Sequence, residues 1–432
     1  MPGGPGRAGY IMPAAQLPGT AMEAPVNASR MTQRYAQKRE AILHEAARLF
    51  NARGIKGATL SDVAAAVGLS TNSITYYYRK KEDLVVACLL RSIETVGGII
   101  AAAAQEHSAE ARVRGFVALF FARLSRTARG EEGEMMTFRD VHVLGSPHAE
   151  IVFEAYIGMF RQCRRLLDAG RVKPARRVAL NARTHLLLTL TLWTMSWSAR
   201  FDPEDYALAA ARMGDILIGG IGAGKATWRI TALDAALGTP PVAGDSAQDA
   251  FLRAATALIN EAGYRGASVD RISARLNLTK GAFYHHNPSK EELIAACFER
   301  KFAVIREMQR VAMASGGSGW DKLCAVSRAL VRYHFSEHGP LLRTSAWSEL
   351  PEDMRAAKLA ATAQLDQRFV SLLVEGMQDG SIRPLDQAIA GALVSGMVNA
   401  AVLLDRWVPD VNGENALELF VRPLFEGLLA QG

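Results

Sequence analysis

Few features of this chain point to catalysis, secretion or a bilayer. Its 432 residues hold four cysteines, Cys88, Cys163, Cys297 and Cys324, with no CxxC pair and no Cys/His cluster at metal-ligand spacing. A disulfide framework and a zinc module are therefore excluded, no metal is expected, and the usage suits a reducing cytoplasm. Runs of alternating β-branched residues are missing, so no strand is predicted and the fold class is all-α. The most apolar stretch, Leu186 to Trp197, is broken by threonines and flanked by Arg183 and Arg200, too short to span a bilayer. It reads as a buried helix, and no membrane partner is expected. Neither a Ser/His/Asp order nor a carboxylate pair stands out, so neither an enzyme nor a cofactor is predicted. The first thirty residues carry five Pro and five Gly and no secretory pattern. Residues 1–31 read as a disordered tail.

Positive charge is abundant, and its location is informative. The net charge is +7. Between Thr32 and Thr95 there are ten Lys/Arg against six Asp/Glu, and between Ser246 and Arg306 nine against six. These two segments together carry the whole excess, as a phosphate-facing surface would; a solvated basic face would look similar.

The same two segments are copies of each other. Ala41–Cys88 and Ala250–Cys297 align without a gap at an offset of 209, with 15 of 48 positions identical. Further on, Ala199-Arg200-Phe201-Asp202-Pro203 resembles Asp405-Arg406-Trp407-Val408-Pro409 at an offset of 206. The whole unit is therefore expected to be duplicated. The division predicted is a first head at 32–81, a first body at 82–221, a Gly/Pro-rich linker at 222–247, a second head at 248–290 and a second body at 291–432. In the first body, helices are expected near 82–104, 108–128, 134–144, 148–169, 174–200 and 203–220.

In the first copy Ile42, Leu43, Ala46, Leu49 and Phe50 form an apolar helical stripe. Gly54 ends that helix, Thr59 and Asp62 stand at capping-box spacing, Gly68 makes a tight turn, and Ser70 caps a third helix. Two short helices joined by a glycine turn are a helix-turn-helix, whose second helix presents its N-terminal side chains to the major groove.

Here the sequence resembles the TetR family of one-component transcriptional regulators. The resemblance is carried by GIKGATLSDVAAAVGLSTNSITYYYRKKEDL (Gly54 to Leu84) and GYRGASVDRISARLNLTKGAFYHHNPSKEEL (Gly263 to Leu293). It implies two heads that bind a double-stranded DNA operator and two helical bodies that bind a small effector and pair with each other. Position by position, it implies DNA contacts from Thr59, Ser70, Thr71, Asn72, Ser73, Tyr76, Tyr77 and Lys81 in the first head. In the second it implies Ser268, Thr279, Lys280, Gly281, Tyr284, His285 and Lys290. Departures fall in different places in the two heads. Gly68 is matched by Asn277, Tyr78 by Asn287, and the tyrosine usual in the recognition helix is Thr75 in the first copy. The expected assembly is a monomer with internal pseudo-two-fold symmetry, with a dimer of such pseudo-dimers as the other form. The expected function is cytoplasmic transcriptional regulation by a repressor, released by a small, largely apolar effector and reading an asymmetric operator. The competing reading is an effector- or partner-binding protein with one or both heads inactive.

The effector pocket is expected among Phe120, Phe138, His142, Tyr156, Trp193, Trp197, Tyr333, His334 and Trp347, an apolar set with few polar groups. Each of these also suits a plain core position. Gly219 to Ala226 (GGIGAGKA) nearly matches a phosphate loop, but it lacks the Ser/Thr after Lys225 and follows a helix instead of a strand. A glycine helix stop is the simpler reading.

Overall fold

The computed structural model describes residues 26–138, 144–168, 174–224, 226–238, 247–275, 289–344, 346 and 350–430. Among these every regular element is helical, with one isolated antiparallel bridge between Gly222 and Ile382. The first head is α1 (Val26–Gly57), α2 (Leu60–Ala66) and α3 (Thr71–Tyr77). Its body is α4 (Lys81–Ala103), α5 (Ala109–Ala128), α6 (His148–Leu167), α7 (Pro174–Trp193) and α8 (Tyr206–Gly219). A short α9 (Ala232–Ala236) precedes the second head, of which α10 (Ala247–Gly266) and α11 (Val269–Arg275) are described. The second body is α12 (Lys290–Ala314), α13 (Gly319–Phe335), α14 (Glu352–Gln378), α15 (Gln387–Ala400) and α16 (Arg422–Glu426), the last entered through a π turn at Leu417–Val421.

The heads fold as their local chemistry dictates. The stripe of Ile42, Leu43, Ala46, Ala47, Leu49 and Phe50 is buried against Val63, Ile74, Leu84 and Val85. The left-handed glycines Gly54 and Gly263 break α1 and α10 at equivalent positions. Cys88 and Cys297 point their thiols at equivalent carbonyls, Leu43 and Leu252, as small core residues.

Several expectations need correction. Residues 26–31, expected in the disordered tail, are the first turns of α1. The helix expected at 134–144 does not form over 134–138. There the backbone is bonded by side chains of α1 and α4, which replace helical partners. His44 Nδ1 accepts from Glu134 N (2.8 Å), Asn51 bridges Met135 O and Thr137 N (2.8 and 2.9 Å), and Ser92 Oγ accepts from Met136 N (2.8 Å). The second unit repeats the strap: Asn260, the counterpart of Asn51, bonds Leu341 O and Arg343 N at 2.9 and 3.0 Å. The helix expected over 174–200 stops at Trp193 and continues as 3₁₀ turns to Arg200. The segment 222–247 is not a loose linker throughout. Over 221–224 and 226–238 it is laid onto the second body: Ala223 N bonds Ser381 O, Trp320 Nε1 bonds Thr227 O, and Asp234 forms a buried bidentate pair with Arg328 at 2.5 and 2.7 Å. Lys225 lies outside the described residues, and Gly219–Gly220 is a helix stop.

The two bodies meet through α7 and α8 of the first against α15 and the 417–428 segment of the second. Their helix ends cross reciprocally: Ile221 N bonds Phe425 O (2.9 Å) and Leu428 N bonds Leu217 O (2.8 Å). Left-handed glycines make this crossing possible. A Cβ at Gly220 would meet Phe425 O at 2.4 Å, and one at Gly427 would meet Ile218 O at 2.2 Å. Polar bonds pin the seam: His185 Nε2 to Ala400 O at 2.9 Å, Asn181 Nδ2 to Trp407 O at 3.0 Å, Arg212 to Asp386 at 2.7 Å and Arg383 to Asp215 at 2.6 Å. Among the described residues two stretches, Lys81–Ala103 and Gln387–Arg406, are long and apolar enough to cross a membrane by composition; here apolar residues of both, including Leu84, Leu89, Val96, Leu393 and Met397, are packed in the core.

Candidate nucleic-acid interface and ligand cleft

In the first head the capping chemistry fixes a short exposed helix. Thr59 Oγ accepts from Asp62 N (3.1 Å) while the Asp62 carboxylate accepts from Thr59 N (2.7 Å), a reciprocal box at the start of α2. The Thr59 hydroxyl also donates to the Asp62 carboxylate (2.6 Å), and this bond, followed by that from Thr59 N, holds the carboxyl below the usual carboxylate range. Ser70 Oγ accepts from Ser73 N (3.2 Å) and starts α3. Ile74 is then buried, while Thr71, Asn72, Thr75 and Tyr76 face solvent; Tyr76 is 78% exposed. Ser73 and Tyr77 are half-buried. Tyr77 is held between Tyr35 of α1, stacked at 4.8 Å, and Tyr76 at 5.5 Å. Lys81, at the first turn of α4, donates to Ala58 O (3.3 Å) and so stands beside Thr59.

In the second head Ser268 Oγ accepts from Arg271 N (3.2 Å) and caps α11, and Lys290 begins α12. Thr279, Lys280, Gly281, Tyr284 and His285 lie outside the described residues.

A cleft of about 580 Å³ opens between the units. Phe138, Tyr156 and Trp193 line it, as do Phe153, His185 and Met195 of the first unit and Glu261, Arg343, Asn399, Arg406 and Trp407 of the second. Trp407 is stacked on Phe160 (4.3 Å) and flanked by Tyr156 (5.5 Å). Burial pushes His185 down to about 4 despite its bond to Ala400 O, so the ring is neutral and that bond makes it the Nε2–H tautomer.

The other residues expected in a pocket sit elsewhere. Phe120 is fully buried beside Phe116, and Trp197 packs on Phe121 and Phe201 in the first body's core. The Tyr333 hydroxyl accepts from Arg300 (2.9 Å), and His334 Nδ1 accepts from Leu341 N (3.2 Å). These four are spent on packing and on the second strap, so none lines the cleft. His142 and Trp347 lie outside the described residues. Trp407, Arg343 and Glu261 escaped the sequence reading because the cleft joins residues from separate units. Tyr35 and Asn51 escaped too; for Asn51 a signal existed, since an asparagine recurs at the same place in the second apolar stripe as Asn260.

A helix-turn-helix head described in full, and a second described as far as α11, stand on two paired helical bodies, the arrangement of a DNA-binding regulator. The model for bacterial regulatory proteins of the tetR family matches residues 42–88 and again 251–297, and the model for the tetracyclin repressor-like C-terminal domain matches 316–407. Together these matches give the chain a tandem TetR-family arrangement of two units. A curated relative, the transposon Tn10 TetC protein of Escherichia coli, is 28% identical over 111 residues, 24% of this chain. The chain spans 56% of that relative's length. Among solved structures, the regulator PfmR of Thermus thermophilus is 24% identical, covering 41% of this chain and 98% of its own, with a TM-score of 0.36. The ketosteroid regulator KstR2 of Mycobacterium tuberculosis is 17% identical, covering 43% and 97%, with a TM-score of 0.36. The matched families are those of transcription factors, not enzymes.

Proposed function

We propose that this protein is a cytoplasmic repressor acting as a single-chain pseudo-dimer, with two non-identical heads on one asymmetric operator. One observation supports the reading: the reciprocal crossing at Gly220 and Gly427 joins the body of the first unit to that of the second inside one chain, as a second chain would in a homodimer. The heads comprise 32–81 and 248–290, the bodies 82–221 and 291–432. Two major-groove entries on one face of a duplex need recognition helices about 34 Å apart, or a multiple of that.

In the first head Thr71, Asn72, Ser73 and Tyr76 reach bases and phosphates, while Thr59, Ser70, Tyr77 and Lys81 position the head on the backbone. In the second, Thr279, Lys280, Gly281, Tyr284 and His285 do the reading, with Ser268 and Lys290 on phosphate. Asn72 suits adenine, whereas Lys280 suits guanine or phosphate. The two half-sites therefore differ. A small, largely apolar effector in the body releases the DNA by favouring one arrangement of the heads over the other.

The test is selection from random duplexes with the wild type and with Thr71-Asn72-Ser73 replaced by Lys-Gly-Ala. The expected outcome is two unlike half-sites that become more alike in the replacement; a perfect palindrome from the wild type would sink the reading. Lys81→Ala should weaken binding to every sequence and reduce the salt slope by about one unit. Salt-insensitive binding, or none, would favour a partner-binding protein with inactive heads.

A further inference from the structure

We propose that the N-terminal turns of α14 are a brace between the two heads, and that Arg355 and Lys358 are positioning residues that fix the separation of the heads for DNA. The proposal rests on the two-headed reading above and names what holds the heads apart.

These turns project from the core. None of the described side chains from Glu352 to Gln364 is buried; burial begins at Leu365 and continues at Phe369, Leu372 and Leu373. Apolar packing therefore does little to hold this stretch, and polar ties decide where it lies. Two such ties stand one turn apart on it. Arg355 Nη1 donates to Ala52 O of the first head at 2.9 Å, just before Gly54 breaks α1. Ala52 adjoins Asn51, which holds the first strap, so α1 is gripped there by its own body and by the other unit. Lys358 pairs with Glu299 of α12, the helix that leads directly out of the second head. The path from head to head is thus Ala52, Arg355, one turn of α14, Lys358 and Glu299. To tilt or separate, the heads must break a charge-assisted bond along it.

The mirror image of this path has lost its charges. Burial fixes the register of α6 on α14: Met159, Cys163, Leu166 and Leu167 take the places of Leu365, Phe369, Leu372 and Leu373, an offset of 206. In that register Arg355 is matched by Ala149 and Lys358 by Val152, which is fully buried. Glu299 is matched by Leu90. Alanine and valine side chains donate no hydrogen bond, so neither tie can be returned from the matching positions. In the second head the place of Ala52 is taken by Glu261, whose carboxylate accepts from Arg275 of α11 at 3.0 and 3.2 Å, a bond internal to that head. A charged link in one direction, with apolar residues in the other, is open to a fused chain and closed to a symmetric homodimer.

Ala65→Cys and Ala274→Cys place spin labels at matching exposed positions on α2 and α11, the four native cysteines being buried. Pulsed dipolar spectroscopy on the labelled full chain, without DNA, should give a narrow distance distribution. Arg355→Ala or Lys358→Ala should broaden it at least about twofold. The two together should broaden it no further, because the ties act in series. An unchanged width in either single variant, or additive broadening in the double variant, overturns the brace. Should Lys358→Ala lose its cooperative melt, Glu299→Gln breaks the same tie and repeats the measurement. Duplexes then carry the two selected half-sites at the preferred spacing and at a spacing changed by two base pairs, a turn of roughly 70° about the duplex axis. The wild type should lose about tenfold in affinity on that change, and Arg355→Ala less than about threefold. Equal losses overturn the positioning role. The salt slope should be the same in both; a fall by about one unit in Arg355→Ala would make Arg355 a phosphate contact and overturn that role too. Absence of DNA binding by the wild type would sink the function and the positioning role with it, while the labels decide the brace without DNA.

Discussion

Across the pseudo-two-fold seam, α7 and α15 meet with unlike residues at like positions. Leu190 of the first unit faces its own counterpart, Gly396: a Cβ on that glycine would lie 2.8 Å from Leu190 Cδ2 and 2.9 Å from Trp193 Cδ1. In a homodimer a residue on the axis meets itself, so two leucines would collide and two glycines would leave a void. One chain escapes that constraint and can put a large group against a small one. The same licence lets Trp193 stand where its counterpart is Asn399, and His185 where its counterpart is Gly391, so that both rings line the cleft while Asp366 of the second unit pairs with Arg200 of the first. It also extends to the linker. Arg328 of α13 is fully buried under α9, whereas Ala118, equally far past its serine cap in α5, is exposed. Fusion has let the units specialise where symmetry would have forced a compromise.

The largest expected effect attacks the part that has no counterpart. Asp234 is buried, which alone would raise its pKa, but bonds from Arg328 and Thr231 hold the carboxyl below its ordinary range. Asp234→Ala strands Arg328 inside, apart from its contact with the Trp228 ring 4.7 Å away. Urea unfolding should show a loss of about 3–5 kcal/mol. A loss under about 1 kcal/mol would mean that the strap is not docked in solution.

Next in size is the restoration of symmetry at the axis. Gly396→Leu should cost about 2–3 kcal/mol by overpacking. Adding Leu190→Gly should recover part of it, because the large and small partners are merely exchanged. Simple additivity of the two changes would show that these positions do not touch.

A third difference lies in the bodies. Where the first unit has Ser92 the second has Lys301, buried beside Asp366 and Asn399. Burial pushes Lys301 down to about 7 against the pull of Asp366. Between that value and its unfolded pKa near 10.4 the unfolded chain binds the extra proton. Stability should therefore rise with pH from about 7 to 10, by at most about 1.4 kcal/mol per pH unit. Lys301→Met should flatten that rise. An unchanged slope in the variant would assign the titration to another group.

These differences also explain what could be read from sequence. The heads were legible because each cap and break is local: Thr59 with Asp62, Ser70 with Ser73, Gly54 and Gly263 all act within a few residues. The straps were not, because their backbone is bonded by Asn51 and Asn260 more than eighty residues away. Arg328 and Asp234 resemble any solvated charges until α9 folds over them. The cleft was half legible: Phe138, Tyr156 and Trp193 have an apolar pattern, but nothing local joins them to Trp407, Arg343 and Glu261.

The smallest expected effect compares the heads themselves. Thr59 and Asp62 satisfy two backbone N–H groups reciprocally, whereas Ser268 satisfies Arg271 N, and the residue at the position of Asp62 is Arg271 itself. An arginine cannot accept the return bond. Thr59→Ala therefore removes one half of a two-way cap and exposes the other, while Ser268→Ala removes a one-way cap. Both should destabilise their own head by about 1 kcal/mol, Thr59→Ala by a few tenths more. Hydrogen exchange resolved to α2 and α11 separates the two, since each loss is local and the bodies hold the global transition. Equal losses would mean that the Asp62 return bond contributes nothing. A larger loss in α11 would reverse the ranking and make the second head the more dependent on its cap.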